Sequence, residues 1–235
     1  MLLREIALDV WGEFACFARP ECKVERLTYP VPTPSAMRGL LSAIYSKPRE
    51  FYWQVNRIEV LRPLKYISFK RNEVKETLLV KKDGSPKAAG PILVDYTGKD
   101  GNKGRTQRQT VALRDVRYRV HASICRQAGY DQPEERLYNQ AVRRIERGQC
   151  FMQPSFGLRE FAAYFAPAEG GTAPIPLDLD LGLMLYDVFD LHKWQAAPKA
   201  EPYVTLFHAR LEQGVLRVPS FDSPQVLRPE VMQGA

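Results

Sequence analysis

The sequence predicts an α+β fold built on an antiparallel sheet, and three observations lead to this class. Short segments alternate apolar and polar residues, two other segments repeat apolar residues at helical spacing, and the order is β-α-β-β-α-β. With 235 residues and 45 % apolar content, the chain is long enough to bury a substantial core. We therefore expect an antiparallel sheet with both helices on one face.

The first strand and the first helix lie before residue 48. Residues 5–10 alternate as in a half-buried strand. Thr33 can cap a helix that has Pro34 at its first position, where proline is well tolerated. The helix must stop just past Tyr45, because the residue before Pro48 disfavours helical conformation.

The second strand and a long basic segment follow. Residues 53–61 predict a strand whose apolar phase shifts at Asn56-Arg57, which indicates a bulge. Residues 65–110 show no period and contain several glycines, so we expect a functional or partly disordered insertion there. A short hairpin over residues 92–96 can be accommodated within it.

The third strand shows the cleanest alternation in the chain. Residues 116–124 place five apolar side chains on one face and Arg117, Arg119, His121 and Ser123 on the other. The strand therefore has one face for the core and one polar, mostly basic face.

The second helix and the fourth strand complete the set. Asp131 to Glu134 has a capping-box-like spacing, so the helix starts there, and Gly148 ends it. Residues 158–165 predict the fourth strand. This order of elements is that of a ferredoxin-like (RRM-like) domain, in which the sheet face opposite the helices is free to meet a ligand.

A Gly/Pro-rich stretch at residues 167–176 predicts a domain boundary. The ferredoxin-like domain would occupy residues 1–166 and carry the basic insertion before its third strand. Residues 167–235 are predicted to form a small antiparallel β domain, with strands over 181–188, 203–210 and 215–218.

The positive charge of the chain is concentrated in its centre. From Arg62 to Arg119 there are 15 Lys and Arg against 6 Asp and Glu, a net of +9, whereas the whole chain carries +7. A basic surface confined to one stretch favours a polyphosphate partner, because neutralising phosphates releases condensed counterions. A solvated basic loop without a ligand is the alternative interpretation.

Composition also bounds the compartment and the cofactors. No run of 18 apolar residues is present and the first five residues do not resemble a signal peptide, so we expect a cytoplasmic protein without a membrane partner. The four cysteines lack zinc-ligand spacing and are interpreted as reduced thiols, with a Cys16–Cys22 disulfide as the alternative. The acidic residues form no two-metal pattern, so we expect neither a metal nor another cofactor.

Several motifs between residues 4 and 166 resemble one known family when they are taken in order. They are Trp11-Gly12-Glu13-Phe14-Ala15-Cys16-Phe17, Lys23-Val24-Glu25-Arg26, Ser35-Ala36-Met37-Arg38-Gly39-Leu40-Leu41, Ile44-Tyr45-Ser46-Lys47-Pro48, Leu61-Arg62-Pro63, Arg71-Asn72-Glu73-Val74, Leu113-Arg114-Asp115-Val116 and Gly157-Leu158-Arg159-Glu160-Phe161. This set is similar to the subtype I-C (Dvulg) CRISPR-associated proteins, in the five-numbered Cas family of repeat-associated RAMP proteins. The likeness weakens through the C-terminal region.

The resemblance implies a ferredoxin-like domain, a small C-terminal β domain and a specific activity. The protein would cleave precursor CRISPR RNA at the repeat hairpin without a metal ion and keep the 5′ handle of the crRNA within the type I-C interference complex (Cascade). Its implied partners are that RNA and the backbone and large subunits of Cascade, and duplex DNA is a further candidate for the basic surface. A non-catalytic handle-binding subunit is the alternative, because other branches of the family leave cutting to a separate enzyme.

The catalytic candidates follow from the chemistry of metal-free RNA cleavage. This reaction needs a base near the 2′-hydroxyl, cations for the phosphorane and an acid for the 5′-oxygen. The resemblance implies a role for Tyr45, in which a neutral phenol would donate a hydrogen bond or position the RNA. It also implies a Lys-His pair near the third strand, but this strand reads Arg117-Tyr118-Arg119-Val120-His121-Ala122 without such a pair. We predict that His121 replaces it, with Arg119 or Lys47 as the cation, because imidazole titrates near neutral pH.

Both catalytic assignments have a plain structural alternative. His121 could be a histidine of an RNA-binding face without a chemical role, and Tyr45 could only pack at a helix end. Phosphate contacts are predicted for Arg38, Arg62, Lys65, Lys70, Arg71, Arg105, Arg108, Arg114 and Arg117. A generic RNA-recognition module is disfavoured, because it would place aromatic side chains where the third strand has arginines and a histidine.

Overall fold

The computed structural model describes residues 4–22, 24–74, 85, 105–194 and 201–229. These residues form nine strands and two helices. In chain order they are β1 (Glu5–Ala15), β2 (Arg26–Leu27), α1 (Pro34–Ile44), β3 (Phe51–Val60), β4 (Tyr66–Val74), β5 (Arg105–Arg126), α2 (Glu134–Glu146), β6 (Tyr164–Pro167), β7 (Leu179–Asp187), β8 (Thr205–Glu212) and β9 (Val215–Arg217).

All nine strands belong to one sheet. Its order is β6-β1-β5-β3-β9-β8-β7, and β2 and β4 pair with the N-terminal part of β5. The described pairs are antiparallel except for β2 with β5, which is parallel. The prediction of an α+β protein with a mostly antiparallel sheet is confirmed.

Helix α1 begins and ends where the sequence predicts. The Thr33 side chain accepts a hydrogen bond from the Ala36 backbone at 3.2 Å, and Pro34 is the first helical residue. Tyr45 follows the helix in an extended conformation, and its backbone N–H still donates to the Leu41 carbonyl at 2.9 Å. The buried face of the helix includes Met37, Leu40, Leu41 and Ile44.

Helix α2 has the predicted position, but the predicted capping box is wrong. Pro133 occupies the N-cap position, and no side chain there hydrogen-bonds to the first turn. The C-terminal end agrees with the prediction, because Gly148 adopts a φ of +61° and its N–H donates to the Ile145 carbonyl at 3.1 Å.

Strand β5 takes part in two structures. From Val116 onward it lies between β1 and β3, whereas from Arg105 to Leu113 it pairs with β4. Asp115 separates the two parts with a φ of +54°, a left-handed conformation that aspartate tolerates better than most residues.

The expectation of an irregular insertion over residues 65–110 is therefore wrong at both of its ends. Residues 66–74 and 105–113 form a two-stranded ribbon (the β4–β5 ribbon). Exposure alternates strictly along β4, but its half-buried positions include Arg71 and Glu73, so no apolar period is visible in the sequence. The hairpin considered for residues 92–96 lies outside the described residues.

Two other strand predictions have mixed outcomes. The bulge in β3 is confirmed, because the register with β5 shifts between Val55 and Arg57. The fourth predicted strand is shorter than expected: β6 starts only at residue 164, and the preceding segment turns. Gly157 allows this turn with a φ of +80°, since an added Cβ would lie 1.9 Å from the Cys16 carbonyl oxygen.

The three C-terminal strands lie close to their predicted positions. Strand β9 pairs with β3, so the sheet continues across the predicted domain boundary. The division into residues 1–166 and 167–235 stays a prediction. The four cysteines are free thiols, so the alternative Cys16–Cys22 disulfide is not formed. None of the described helices is long and apolar enough to cross a membrane.

Candidate functional site

A group of polar side chains lies where α1 ends and β3 begins. It consists of Tyr45, Lys47, Glu50, Tyr130 and Arg144, and we call it the helix-end cluster. Lys47 Nζ donates to Glu50 Oε1 at 2.8 Å and to Oε2 at 3.1 Å. The Arg144 guanidinium carbon lies 5.7 Å from the centroid of the Tyr45 ring, and the Tyr130 hydroxyl adjoins the Glu50 carboxylate. Two of the predicted catalytic residues, Tyr45 and Lys47, are thus brought together.

The surroundings of these groups define their charges at neutral pH. Burial raises the pKa of Tyr45, so its phenol stays protonated and can donate a hydrogen bond. The hydrogen bond between Lys47 and Glu50 raises the pKa of the ammonium and lowers the pKa of the carboxylate. The cluster therefore offers a neutral phenol, an ammonium, a carboxylate and a guanidinium within one small area.

Packing from both helices and from β3 fixes this cluster. Trp53 Nε1 donates to the Tyr45 carbonyl at 2.8 Å, and the Tyr45 and Phe51 rings lie 5.3 Å apart. Arg144 Nη1 donates to the Ile44 carbonyl at 3.2 Å, which ties the end of α2 to the end of α1. Among the described residues, the buried Arg144 Nε has no hydrogen-bond partner.

A second charged group lies on the sheet itself. It consists of Glu5, Asp9, Arg57, Glu59, Arg117, Arg119 and His121, and we call it the sheet-face cluster. Asp9 is only 1 % exposed and accepts hydrogen bonds from Arg117 at 2.9 Å and from Arg119 at 2.7 Å. Arg119 also donates to the backbone carbonyls of Glu169 and Thr172. The carboxylate of Asp9 raises the pKa of Arg119 further, so this arginine is a fixed cation.

His121 has carboxylates as well as arginines around it. Its Nδ1 lies 3.0 Å from Glu5 Oε2 and 3.2 Å from Arg57 Nη2. Glu59 Oε1 lies 3.0 Å from Nε2, but off the direction of a hydrogen bond. The side chain is only 7 % exposed. The expected open, cationic sheet face is therefore not what surrounds this histidine.

The sheet separates the two clusters. Tyr45 packs on Phe51, and Phe51 shares a face of β3 with Trp53, which lies opposite Ile124 of β5. Ile124 and His121 are three residues apart, so their side chains point to opposite faces of the sheet. The structure does not bring His121 and Arg119 to Tyr45 and Lys47.

Some predicted phosphate contacts are engaged within the protein. Arg38 makes two hydrogen bonds to the buried Asp187, at 2.5 and 2.9 Å, and so joins α1 to β7. Arg62 and Lys65 both contact Asp115, with Lys65 Nζ at 3.2 Å from Oδ2. These two basic residues are nevertheless close to half exposed.

Arg117 lies in the sheet-face cluster, where it is paired with Asp9, and the remaining predicted contacts lie on or beside the β4–β5 ribbon. Arg71 contacts Glu160, and Arg108 Nε lies 3.3 Å from Glu73 Oε2. Arg105 is exposed at the start of β5. Lys70 and Arg114 are exposed, and neither has an ion-pair partner in the part of the chain that the structure describes.

The ribbon and the helix-end cluster lie at opposite ends of β5. The ribbon ends at Leu113, and Arg126, at the other end of β5, is opposite Phe51. At about 3.4 Å per residue, these two positions are on the order of 40 Å apart. An RNA that touched both would have to extend along the length of the protein.

Sequence reasoning missed Glu50, Tyr130 and Arg144. The spacing of Lys47 and Glu50 could have suggested an ion pair, but no local pattern places Tyr130 and Arg144 beside Tyr45. Among the described residues, no group of three or more His, Cys, Asp or Glu side chains could hold a metal ion. An antiparallel sheet with a basic ribbon and an acid–base cluster defines a candidate nucleic-acid-processing protein.

Comparison with known proteins agrees with this class. The model of a family described as CRISPR-associated protein (Cas_Cas5) matches residues 5–226. The chain belongs to this family, and the resemblance found in its motifs is confirmed. A solved structure described as a CRISPR-associated protein has a TM-score of 0.65 and 18 % identity, and the match covers 95 % of this chain and 96 % of that one, which supports the fold alone.

Two curated relatives carry the name CRISPR pre-crRNA endoribonuclease Cas5d. The relative from Thermus thermophilus is 38 % identical, and the match covers 97 % of this chain and 97 % of the relative. The relative from Mannheimia succiniciproducens is 37 % identical, with 97 % of this chain and 100 % of the relative covered.

Proposed function

We propose that this chain is an endoribonuclease that cleaves precursor CRISPR RNA at the repeat hairpin by attack of a 2′-hydroxyl, without a metal ion. Relatives with that activity in their name match nearly its whole length at 37–38 % identity. Within this chain, the observation that carries the proposal is the helix-end cluster, where Glu50, Lys47 and Tyr45 supply a base, a cation and an acid at one place.

The reaction can be written with these groups. The Glu50 carboxylate accepts the proton of the 2′-hydroxyl, and the 2′-oxygen attacks the adjacent phosphorus. Lys47 and Arg144 stabilise the charge of the phosphorane. The bond to the 5′-oxygen breaks as this oxygen takes a proton from the Tyr45 phenol or the Lys47 ammonium. The products are a 2′,3′-cyclic phosphate and a 5′-hydroxyl.

His121 and Arg119 stay candidates for the same reaction on the sequence argument. On that argument, His121→Ala and Tyr45→Phe should each slow cleavage at least tenfold and leave hairpin binding within a few-fold. The position of His121 across the sheet from Tyr45 favours a mechanism that uses one cluster rather than both. Comparing the two variants decides which cluster the cut phosphate meets.

We further propose how the chain holds its RNA and where it works. The order β6-β1-β5-β3, with α1 and α2 together on one face, supports a ferredoxin-like domain over residues 1–166, and residues 167–235 would form the smaller β domain. The ribbon side chains Lys70, Arg105 and Arg114 would contact phosphates. The 5′ handle of the crRNA would stay bound within Cascade, beside its backbone and large subunits in the cytoplasm, and duplex DNA would meet the same basic surface.

A handle-binding subunit without activity is the second candidate function. It is favoured by the absence of an adjacent Lys-His pair in the strand that contains His121 and by the separation of His121 from Tyr45. This subunit would bind the repeat RNA tightly and leave it intact.

A denaturing gel with the cognate repeat RNA in EDTA separates the two candidates. The proposed enzyme makes a single cut in EDTA, and a 2′-deoxy substitution at the cut site abolishes it. RNA that is bound but stays intact, with or without the deoxy substitution, would contradict the enzyme and identify the handle-binding subunit.

A further inference from the structure

A cleft of about 480 Å³ lies between α1 and the loop that follows α2. The helix contributes Ala36, Gly39 and Ala43, and the loop contributes Gln153, Ser155 and Arg159. This volume lies within the range of roughly 300–1,000 Å³ that is typical of small-molecule sites. A single nucleotide is a ligand of suitable size.

Met152, which lines the cleft, and Phe151, which precedes it in the chain, both face solvent. Phe151 is 79 % exposed and Met152 is 56 % exposed. Their backbone N–H groups donate to the Ala43 carbonyl at 2.7 and 3.2 Å, so the loop is fastened to the end of α1. An exposed aromatic ring on an anchored backbone is the kind of group on which an unpaired base stacks.

The polar groups of the cleft also suit a nucleotide. Arg159 is the one charged side chain among the residues that line the cleft, and none of them is acidic. The Gln153 side-chain amide donates to the Ala163 carbonyl at 2.9 Å, which leaves its own carbonyl oxygen able to accept a hydrogen bond from a base. The cleft and the neighbouring Phe151 can therefore offer an acceptor, a cation and a stacking surface to one nucleotide.

The cleft leads toward the helix-end cluster. Ala36, Gly39 and Ala43 follow one face of α1 at helical spacing, and α1 ends at Ile44, directly before Tyr45. Tyr45 comes two residues after Ala43, the last residue of α1 that lines the cleft. A nucleotide in the cleft would thus be near any phosphate that Tyr45 and Lys47 contact.

We propose that this cleft binds an unpaired nucleobase of the repeat RNA next to the cleaved phosphate, with its ring stacked on Phe151. The inference rests on the proposed function for the identity of the RNA. An apolar side chain of a protein partner is the other conceivable occupant, but it would leave the Arg159 charge and the Gln153 acceptor without partners.

Gly39 provides a way to close the cleft without unfolding the protein. It is exposed, lies within α1, and an added Cβ would meet nothing within 4 Å. Leucine is a better helix former than glycine, so Gly39→Leu should melt at or above the wild-type temperature. Gly39→Ala improves the helix in the same way but leaves most of the cleft open, which makes it the matched control.

The experiment measures binding and cleavage of the cognate repeat RNA carrying 2-aminopurine at successive unpaired positions beside the hairpin. Phe151→Ala and Gly39→Leu should each weaken binding about 5- to 150-fold, the range for losing one stacked base. They should also abolish the fluorescence change at one position. Gly39→Ala should weaken binding less than Gly39→Leu does, and Leu183→Ala, which removes an exposed apolar side chain elsewhere, should stay within about twofold of wild type.

Each outcome decides between the cleft and the enzyme. If the wild-type protein cleaves the RNA, and Phe151→Ala and Gly39→Leu bind and cut it as well as wild type does, the proposed nucleobase site is wrong. The proposed endoribonuclease activity is then unaffected. An equal loss of affinity for fully paired RNA also overturns the nucleobase site, because no unpaired base is then involved. If the wild-type protein binds the RNA without cutting it, and both variants bind more weakly, the nucleobase site is supported and the endoribonuclease activity is contradicted. Failure to bind the repeat RNA overturns both.

Discussion

The helix-end cluster and the sheet-face cluster contain similar side chains but face different partners. In the sheet-face cluster, the carboxylates of Asp9, Glu5 and Glu59 lie against arginines and a histidine, and most of these groups are shielded from water. In the helix-end cluster, the Lys47 side chain is 42 % exposed to solvent and the Glu50 side chain 28 %. Charges that are neutralised inside the protein stabilise the sheet, whereas charges that stay accessible can meet RNA.

The largest expected effect tests the structural role of the sheet-face cluster. Asp9→Asn removes the charge that both Arg117 and Arg119 contact, and it leaves two partly buried guanidinium groups without their carboxylate. We expect a loss of about 3–5 kcal/mol in the free energy of unfolding, as for other broken buried ion pairs. Urea denaturation followed by circular dichroism measures this loss.

Asp115→Asn is the matched control for that measurement. Asp115 also contacts two basic side chains, Arg62 and Lys65, but about half of its side chain is exposed. Asparagine tolerates the positive φ at this position, so the backbone is not disturbed. We expect a much smaller change than for Asp9→Asn, because water screens an exposed ion pair. Equal losses for the two variants would mean that burial does not decide how much an ion pair stabilises this protein.

The sequence predicted which face of β5 each residue occupies, but not which partners it meets. Alternation alone places His121, Arg117 and Arg119 on one face. Their partners Asp9 and Glu59 come from β1 and β3, which are more than 50 residues away in the chain, and only the pairing register brings them together. The expectation of an open basic face failed for this reason.

The second prediction concerns Glu50 and compares one carboxylate from each cluster. Glu50→Gln removes the proposed base, and we expect cleavage to slow at least about 100-fold, at the low end of general acid–base effects. Binding of the repeat hairpin should stay within a few-fold. Single-turnover cleavage of labelled repeat RNA gives the rate. Glu59→Gln, beside His121, should leave the cleavage rate within a few-fold of wild type. A larger loss of rate for Glu59→Gln than for Glu50→Gln would place the reaction on the sheet face.

The third prediction concerns the Tyr45 hydroxyl. Tyr45→Phe keeps the contact with the Phe51 ring and removes the donor, so we expect cleavage to slow at least tenfold and the fold to remain stable. A substrate with sulfur in place of the 5′-oxygen at the cut site needs no proton on its leaving group. If Tyr45 supplies this proton, the sulfur substrate should be cut equally fast by wild type and Tyr45→Phe. If Tyr45→Phe also cuts the sulfur substrate about tenfold more slowly than wild type does, Tyr45 positions the RNA and does not supply the proton.

The smallest expected effect concerns the ribbon. Lys70→Ala and Arg114→Ala each remove an exposed cation, and each should reduce the slope of log affinity against log salt by about 0.7–0.9. Filter binding over a series of salt concentrations measures the slope. Arg210→Ala removes an exposed arginine of β8 and should leave the slope unchanged. Equal slopes for all three variants would exclude the ribbon from RNA binding.

Helix α1 and the β4–β5 ribbon show how far the sequence could lead. The limits of α1 were predictable because Thr33, Pro34 and Pro48 act on their immediate neighbours. The ribbon was missed because its half-buried positions hold charged residues that pair across strands. The helix-end cluster was half predicted: motif resemblance gave Tyr45, but Arg144 reaches it only through the packing of α2 and Tyr130 only through the segment between β5 and α2.

The most direct test of the account is the pH dependence of single-turnover cleavage between pH 4 and pH 8. The pKa of Glu50 is lowered below its ordinary value of 4.5, so the base form persists until the pH falls through that lowered value. We predict a rate that shows no acidic limb between pH 8 and about pH 5 and falls only below roughly pH 4.5. An acidic limb between pH 5 and pH 8 that disappears in His121→Gln would contradict the account and move the base to the sheet face.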